Sequence, residues 1–297
     1  MPTDLRLRGT YLPLITPFAA DGSVAIDAVT ELAQHYLDAG AAGLVPLGTT
    51  GEASALTAAE KRAVVDACSA VCIARGAQLI VGAGTNSTAT TIANVEELAG
   101  TPGLSAVLIV VPYYVRPSER GIVAHFRAVA DASPAPVVLY NVAFRTGRHL
   151  SAAGVIEAAS HPNIVGIKQA TGLEVDTLEL LSDAPADFAV LGGEDAYLFP
   201  MMLMGGAGTI CASAHVCTEQ FVSMIECGLA GKVDEGRALA ETLLPVVQSL
   251  FVEPNPAVFK AVLHAQGRIP TPDVRLPLTN ASAESLAAAL AAIAAAS

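Results

Sequence analysis

Two hydrophobic periods alternate along the chain. Short runs dense in Val, Ile and Leu, without polar alternation, are separated by longer stretches in which apolar residues recur every three or four positions. The first pattern predicts strands buried on both faces, and the second predicts amphipathic helices covering them. Candidate strands fall at residues 11–15, 43–47, 79–83, 106–111, 137–140, 165–168, 188–191 and 208–211. Helical stretches follow at 27–39, 57–75, 88–99, 118–131, 152–160, 175–182 and 196–204. Eight strands with intervening helices in roughly 200–250 residues predict an α/β fold of the (β/α)8 TIM barrel type, since a doubly wound sheet would use fewer strands.

Past residue 218 the strand signals stop. Helical stretches remain at 219–229, 232–251 and 256–266, with an Ala-rich segment from 283. Proline joints at 252–256 and 269–272 interrupt them, because proline lacks a donor and restricts the residue before it. The expected organisation is a barrel over residues 1–217 and a C-terminal helical appendage over 218–297.

Composition narrows the class of partner. With 297 residues, 53% of them hydrophobic, the chain can bury a large core. A net charge of −12, with only 16 Lys and Arg spread along the chain, argues against a nucleic-acid partner. The five cysteines are odd in number and form no Cys-x-x-Cys pair, which fits reduced packing residues and a reducing cytoplasm. The first nine residues lack a signal-like apolar core and the tail 286–296 is too short to span a bilayer, so neither targeting nor membrane insertion is expected.

The chemistry points to a lysine. Only four lysines occur, and Lys168 ends the apolar run Ile164-Val165-Gly166-Ile167. Burial disfavours an ammonium and frees the amine as a nucleophile toward carbonyls. The plain alternative is a strand-edge lysine whose ammonium reaches water. In a barrel, functional groups gather at the C-terminal strand ends, where this chain carries Gly48-Thr49-Thr50-Gly51-Glu52, Pro112-Tyr113-Tyr114, Tyr140-Asn141, Lys168-Gln169 and Gly192-Gly193-Glu194-Asp195. A phenol at Tyr140 suits proton transfer, or simply packs its ring. The Gly48–Gly51 turn, with two hydroxyls and free N–H groups, suits a carboxylate, or is ordinary loop chemistry. The six histidines lack ligand spacing, so no metal is expected. Neither a complete Gly-x-Gly-x-x-Gly nor a Gly-x-Ser-x-Gly motif is present.

Three motifs together, Gly-Thr-Thr-Gly-Glu at 48–52, Tyr-Asn at 140–141 with Arg-Thr-Gly at 145–147, and Val-Gly-Ile-Lys-Gln-Ala-Thr-Gly at 165–172, resemble the dihydrodipicolinate synthase and N-acetylneuraminate lyase superfamily, most of all its dihydrodipicolinate synthases. The resemblance spans nearly the whole chain. It implies a pyruvate-dependent class I lyase with an imine on Lys168 and no cofactor or metal. It further implies that Thr49 and Thr50 bind the pyruvate carboxylate and that Tyr140, hydrogen-bonded to Thr49, transfers protons. Tyr114 would reach into a neighbouring subunit's site, and Gly193 and Ile210 would line the pocket. Arg145 would hold the carboxylate of L-aspartate 4-semialdehyde, placing the reaction in lysine biosynthesis. A homotetramer built as a dimer of dimers is implied as well.

The chain departs from the synthase pattern at Ala143, where proline is usual, at Gln169, where glutamate is common, and over Cys211–His215. Ala58, Lys61 and Thr90 stand where a lysine-inhibited synthase would carry His, His and Glu, so little inhibition by lysine is expected. The alternatives are a 2-keto-3-deoxy sugar-acid aldolase or N-acetylneuraminate lyase-like enzyme, and a non-catalytic barrel serving as a binding or regulatory protein.

Overall fold

A computed structural model describes residues 5–296. Eight strands run in sequence order around a closed barrel: β1 (Gly9–Leu12), β2 (Gly43–Leu44), β3 (Gln78–Gly82), β4 (Leu104–Val110), β5 (Val137–Asn141), β6 (Ile164–Gln169), β7 (Ala189–Gly192) and β8 (Gly208–Ile210). Every neighbouring pair is parallel, and β8 closes onto β1. This is the (β/α)8 barrel that the alternating periods predict.

Continuous apolar runs hide a two-sided pattern. In β5, Val138 and Tyr140 join a small cluster inside the barrel, with Tyr11, Ile80 and Leu191, while Val137 and Leu139 pack outward against the helices. Successive residues of a strand face opposite sides, and here both sides are dry. The register of β5 on β6 shifts by one residue after Val137, so that Val138 pairs with Gly166, Leu139 with Ile167 and Tyr140 with Lys168. The shift fixes which face Lys168 occupies. Gly166 fits there because any Cβ would stand 2.7 Å from the Ala189 carbonyl.

The covering helices start and stop on local signals. Ala58–Arg75 opens on a reciprocal capping box between Thr57 and Glu60 and closes on Gly76 at φ 62°. Ser87, Ser118 and Ser151 each accept a backbone N–H through their hydroxyl and so cap the helices Thr88–Glu97, Glu119–Ala132 and Ala152–Ala159. Thr218–Leu229 packs on β1 and β8, and Val233–Leu250 packs on it and on Ala283–Ala296.

Several boundaries shift from the sequence pattern, β1 to Gly9–Leu12 among them, and three differences have a local reason. β2 pairs over Gly43–Leu44 rather than to residue 47, because Pro46 has no N–H and Leu47 turns to φ 60°. The stretch 196–204 divides into a single 3-10 turn, Asp195–Tyr197, and a helix, Leu198–Leu203, with Pro200 in its first turn, where its missing donor costs nothing. A four-residue helix, Ala143–Thr146, follows β5 in a stretch where the sequence pattern assigns no element, closed by Gly147 at φ 68°.

Candidate active site

The turn after β2 is built tightly. Thr49–Gly51 forms a 3-10 turn, and Glu52 follows at φ 51° with its amide donating to the Thr49 carbonyl. Thr49 is exposed and Thr50 is buried. The Thr16 hydroxyl donates to the Gly51 carbonyl at 2.8 Å, and the Asn255 amide donates to Thr50 Oγ1 at 3.0 Å. The Glu52 carboxylate, also buried, receives Lys260 Nζ at 2.7 Å and the Arg275 backbone N–H at 2.8 Å. The turn is therefore held on one side by the loop after β1 and on the other by the C-terminal region.

Across the barrel mouth, Lys168 and Tyr140 leave paired positions of β6 and β5 on the inner face. Lys168 Nζ lies 4.6 Å from the Tyr140 ring centroid, both residues being 7% exposed. Among the described residues, Nζ has neither a hydrogen bond nor an ion pair. Gly193 makes room for it, since a Cβ there would stand 2.7 Å from Lys168 Cε. Ile210 ends β8 inside the barrel, fully buried.

Two acidic side chains close this end. Burial, then the neighbouring Asp195, raises the Glu194 carboxyl above its ordinary range, with Lys168 and Arg145 pulling the other way. Asp195 is likewise raised by burial, and its Oδ2 accepts from the Ser213 N–H at 2.7 Å, which ties the end of β7 to the loop after β8. Sequence reasoning placed both at a strand end but gave them no part. Their adjacency to Gly193, the glycine that accommodates the lysine, was the available signal.

A buried polar network fixes the ends of β5 and β6. The Asn141 amide donates to the Leu150 carbonyl at 3.0 Å and to Gln169 Oε1 at 3.2 Å, while Gln169 Nε2 reaches the Thr171 and Thr177 hydroxyls. Gln169 thus satisfies donors and acceptors on both sides, a role that an acceptor-only glutamate would fill differently. His215 is also structural: its Nε2 accepts from the Ile15 N–H, its Nδ1 donates to the Ala212 carbonyl, and burial lowers its pKa to about 4.

The structure does not gather all candidates equally. Lys168, Tyr140, Gly193 and Ile210 share the barrel interior. Thr49 and Tyr140 are not hydrogen-bonded to each other among the described residues. Arg145 sits exposed on the short helix, its guanidinium 4.8 Å from the Phe144 ring. Tyr114 is 87% exposed, at φ 70°, in a loop held to that same helix by Tyr114 N–H to the Thr146 carbonyl and Arg116 Nε to the Gly147 carbonyl.

Comparison with known proteins adds to this geometry. The model of the dihydrodipicolinate synthetase family matches residues 6–296. The 4-hydroxy-tetrahydrodipicolinate synthase of Moorella thermoacetica is 40% identical over 271 residues, covering 91% of this chain and 92% of that one. Among solved structures, a monomeric dihydrodipicolinate synthase variant superposes with a TM-score of 0.94 at 30% identity, covering 98% of this chain and 97% of its own. The Acinetobacter baumannii dihydrodipicolinate synthase complexed with pyruvate superposes with a TM-score of 0.93 at 32% identity, covering 97% and 98%.

Proposed function

Because the chain belongs to the dihydrodipicolinate synthetase family, we propose that it is a 4-hydroxy-tetrahydrodipicolinate synthase, joining pyruvate to L-aspartate 4-semialdehyde through an imine on Lys168. One observation carries the assignment of the nucleophile: a buried amine with no carboxylate bonded to it, facing the phenol of Tyr140 at a C-terminal strand end. The unprotonated amine attacks the C2 carbonyl of pyruvate. The carbinolamine loses water to give the imine, loss of a C3 proton gives the enamine, and C3 then bonds to the aldehyde carbon. Tyr140 is placed to carry protons in these steps. No group beyond the lysine is needed as cofactor.

The remaining assignments rest on the resemblance to the family, and the positions of the residues are compatible with them. Thr49 and Thr50, on a turn whose backbone is pinned, grip the pyruvate carboxylate. Gly193 and Ile210 shape the pocket around the imine. Arg145, on a short exposed helix, takes the carboxylate of the semialdehyde, for which a guanidinium fork is well shaped. Tyr114, exposed on its own chain, is in keeping with the family resemblance, which implies that it completes the site of a second copy and that the working form is a homo-oligomer, a tetramer of paired dimers. None of the helices among the described residues is long and apolar enough to cross a membrane. A cytoplasmic location fits the five cysteines, all of them free thiols.

Turnover tests the substrate pair. The protein should consume semialdehyde in a pyruvate-dependent manner and leave 2-keto-3-deoxy sugar acids uncleaved. Cleavage of those acids without semialdehyde consumption would make it a sugar-acid lyase.

A further inference from the structure

The Asn255 side chain stands next to the carboxylate-binding turn and belongs to no part of the mechanism above. It precedes the helix Ala257–Ala265, and its Nδ2 donates to Thr50 Oγ1 at 3.0 Å. A hydroxyl has one proton to give and two lone pairs to receive with, whereas an ionised carboxylate can only accept. A threonine that binds a carboxylate through its side chain must therefore aim its proton at the ligand. A neighbouring N–H that occupies a lone pair of Oγ1 enforces that aim, because the hydroxyl proton then has to point elsewhere. Among the described residues Thr50 Oγ1 has no other hydrogen-bond partner.

Two further observations fit. Asn255 Oδ1 is buried and has no partner among the described residues, so the amide's one paired polar contact is the N–H on Thr50. An unpaired buried carbonyl destabilises the fold, and an apolar side chain would avoid the loss. Asn255 and Thr50 are also held in register by a second link between the same two segments, the buried Lys260–Glu52 ion pair at 2.7 Å, with the Arg275 N–H on the other Glu52 oxygen. The turn and the start of the helix Ala257–Ala265 thus form one rigid unit.

We propose that Asn255 is a positioning residue for pyruvate, orienting the Thr50 hydroxyl as a donor to the substrate carboxylate. The C-terminal helical region is then a working part of the site. This rests on the reading of Thr50 as a carboxylate ligand.

The test measures the pyruvate concentration that gives half-maximal borohydride-trapped adduct on Lys168, for the wild-type protein, Asn255→Ala, Thr50→Val and the double variant. Asn255→Ala should raise that concentration roughly three- to tenfold, the size of one hydrogen bond, with the maximal extent of trapping unchanged. In the Thr50→Val background the same change should add less than about twofold, because the hydroxyl it orients is gone. Asn255→Leu keeps the size and removes the N–H without adding a charge, so its shift should match that of alanine, and it replaces alanine in the cycle should Asn255→Ala not fold. An unshifted concentration, or an equal shift in both backgrounds, overturns the proposal. Failure of the wild-type protein to trap pyruvate at all would instead overturn the imine reading beneath it.

Discussion

Two of the four lysines are buried, Lys168 at 7% exposure and Lys260 at 0%, and their surroundings differ in kind. Lys260 Nζ sits 2.7 Å from Glu52 Oε1 and 3.9 Å from the Phe18 ring centroid, in a cluster that also contains Arg275 and Glu60. Desolvation pulls its pKa down to about 8, with the Glu52 carboxylate opposing. Lys168 has an aromatic ring beside it, two carboxyls farther off, and no bonded partner among the described residues. Burial alone does not mark a nucleophile. A paired ammonium is a structural tie, while an unpaired amine at the mouth of a barrel is available to a carbonyl.

Replacing each lysine separates the two roles. Lys168→Ala should lower kcat by roughly a thousandfold or more while leaving the melting temperature near that of the wild type. A residual rate within tenfold of wild type would remove it from the chemistry. Lys260→Met leaves Glu52 buried without its counter-charge and should destabilise the fold by about 3–5 kcal/mol in denaturant unfolding, most of it recovered in the Glu52→Gln, Lys260→Met double variant. Equal losses in the single and double variants would show that the charge pair is not the source of stability.

Smaller effects sharpen the same contrast. Arg145→Ala should cost about 1.5–3 kcal/mol in kcat/KM for the semialdehyde and leave imine formation with pyruvate intact. Equal loss of both would contradict its place on the second substrate. The weakest effect concerns the edge of the Lys260 cluster, where the Arg275 guanidinium and the Thr57 N–H hold the Glu60 carboxyl down to about 2 from 4.5. A carboxyl depressed in the folded state stabilises above its unfolded pKa. The stability difference between wild type and Glu60→Gln should therefore be full above pH 4.5 and shrink as the pH falls toward 2, read from unfolding curves across that range. A difference that does not change with pH would assign Glu60 a packing role only.

Much of the barrel was legible because strands buried on both faces advertise themselves as uninterrupted Val, Ile and Leu runs. The strand-end residues followed from the fold, and Lys168 stood out as the one charge closing such a run. What was missed depended on pairing across distance. Lys260 lies in Ala-Val-Phe-Lys-Ala-Val-Leu, whose lack of any other charge was the only sign that the helix is buried all round. Its partner Glu52 is 208 residues away, and Asn255 is 205 residues from Thr50. The helix around Arg145 escaped notice because four residues carry no period, and its stop signal, Gly147 in the left-handed region, reads equally well as a turn. The end of β2 was overrun because an apolar Leu47 hides a positive φ.

The central claim is that the unpaired buried lysine, and not the paired one, forms the imine. Incubation with pyruvate and borohydride, followed by intact mass and peptide mapping, measures this directly. One pyruvate-derived adduct per chain, on Lys168 and absent from Lys260, is the predicted result; an unmodified chain, or an adduct on any other lysine, would contradict the account.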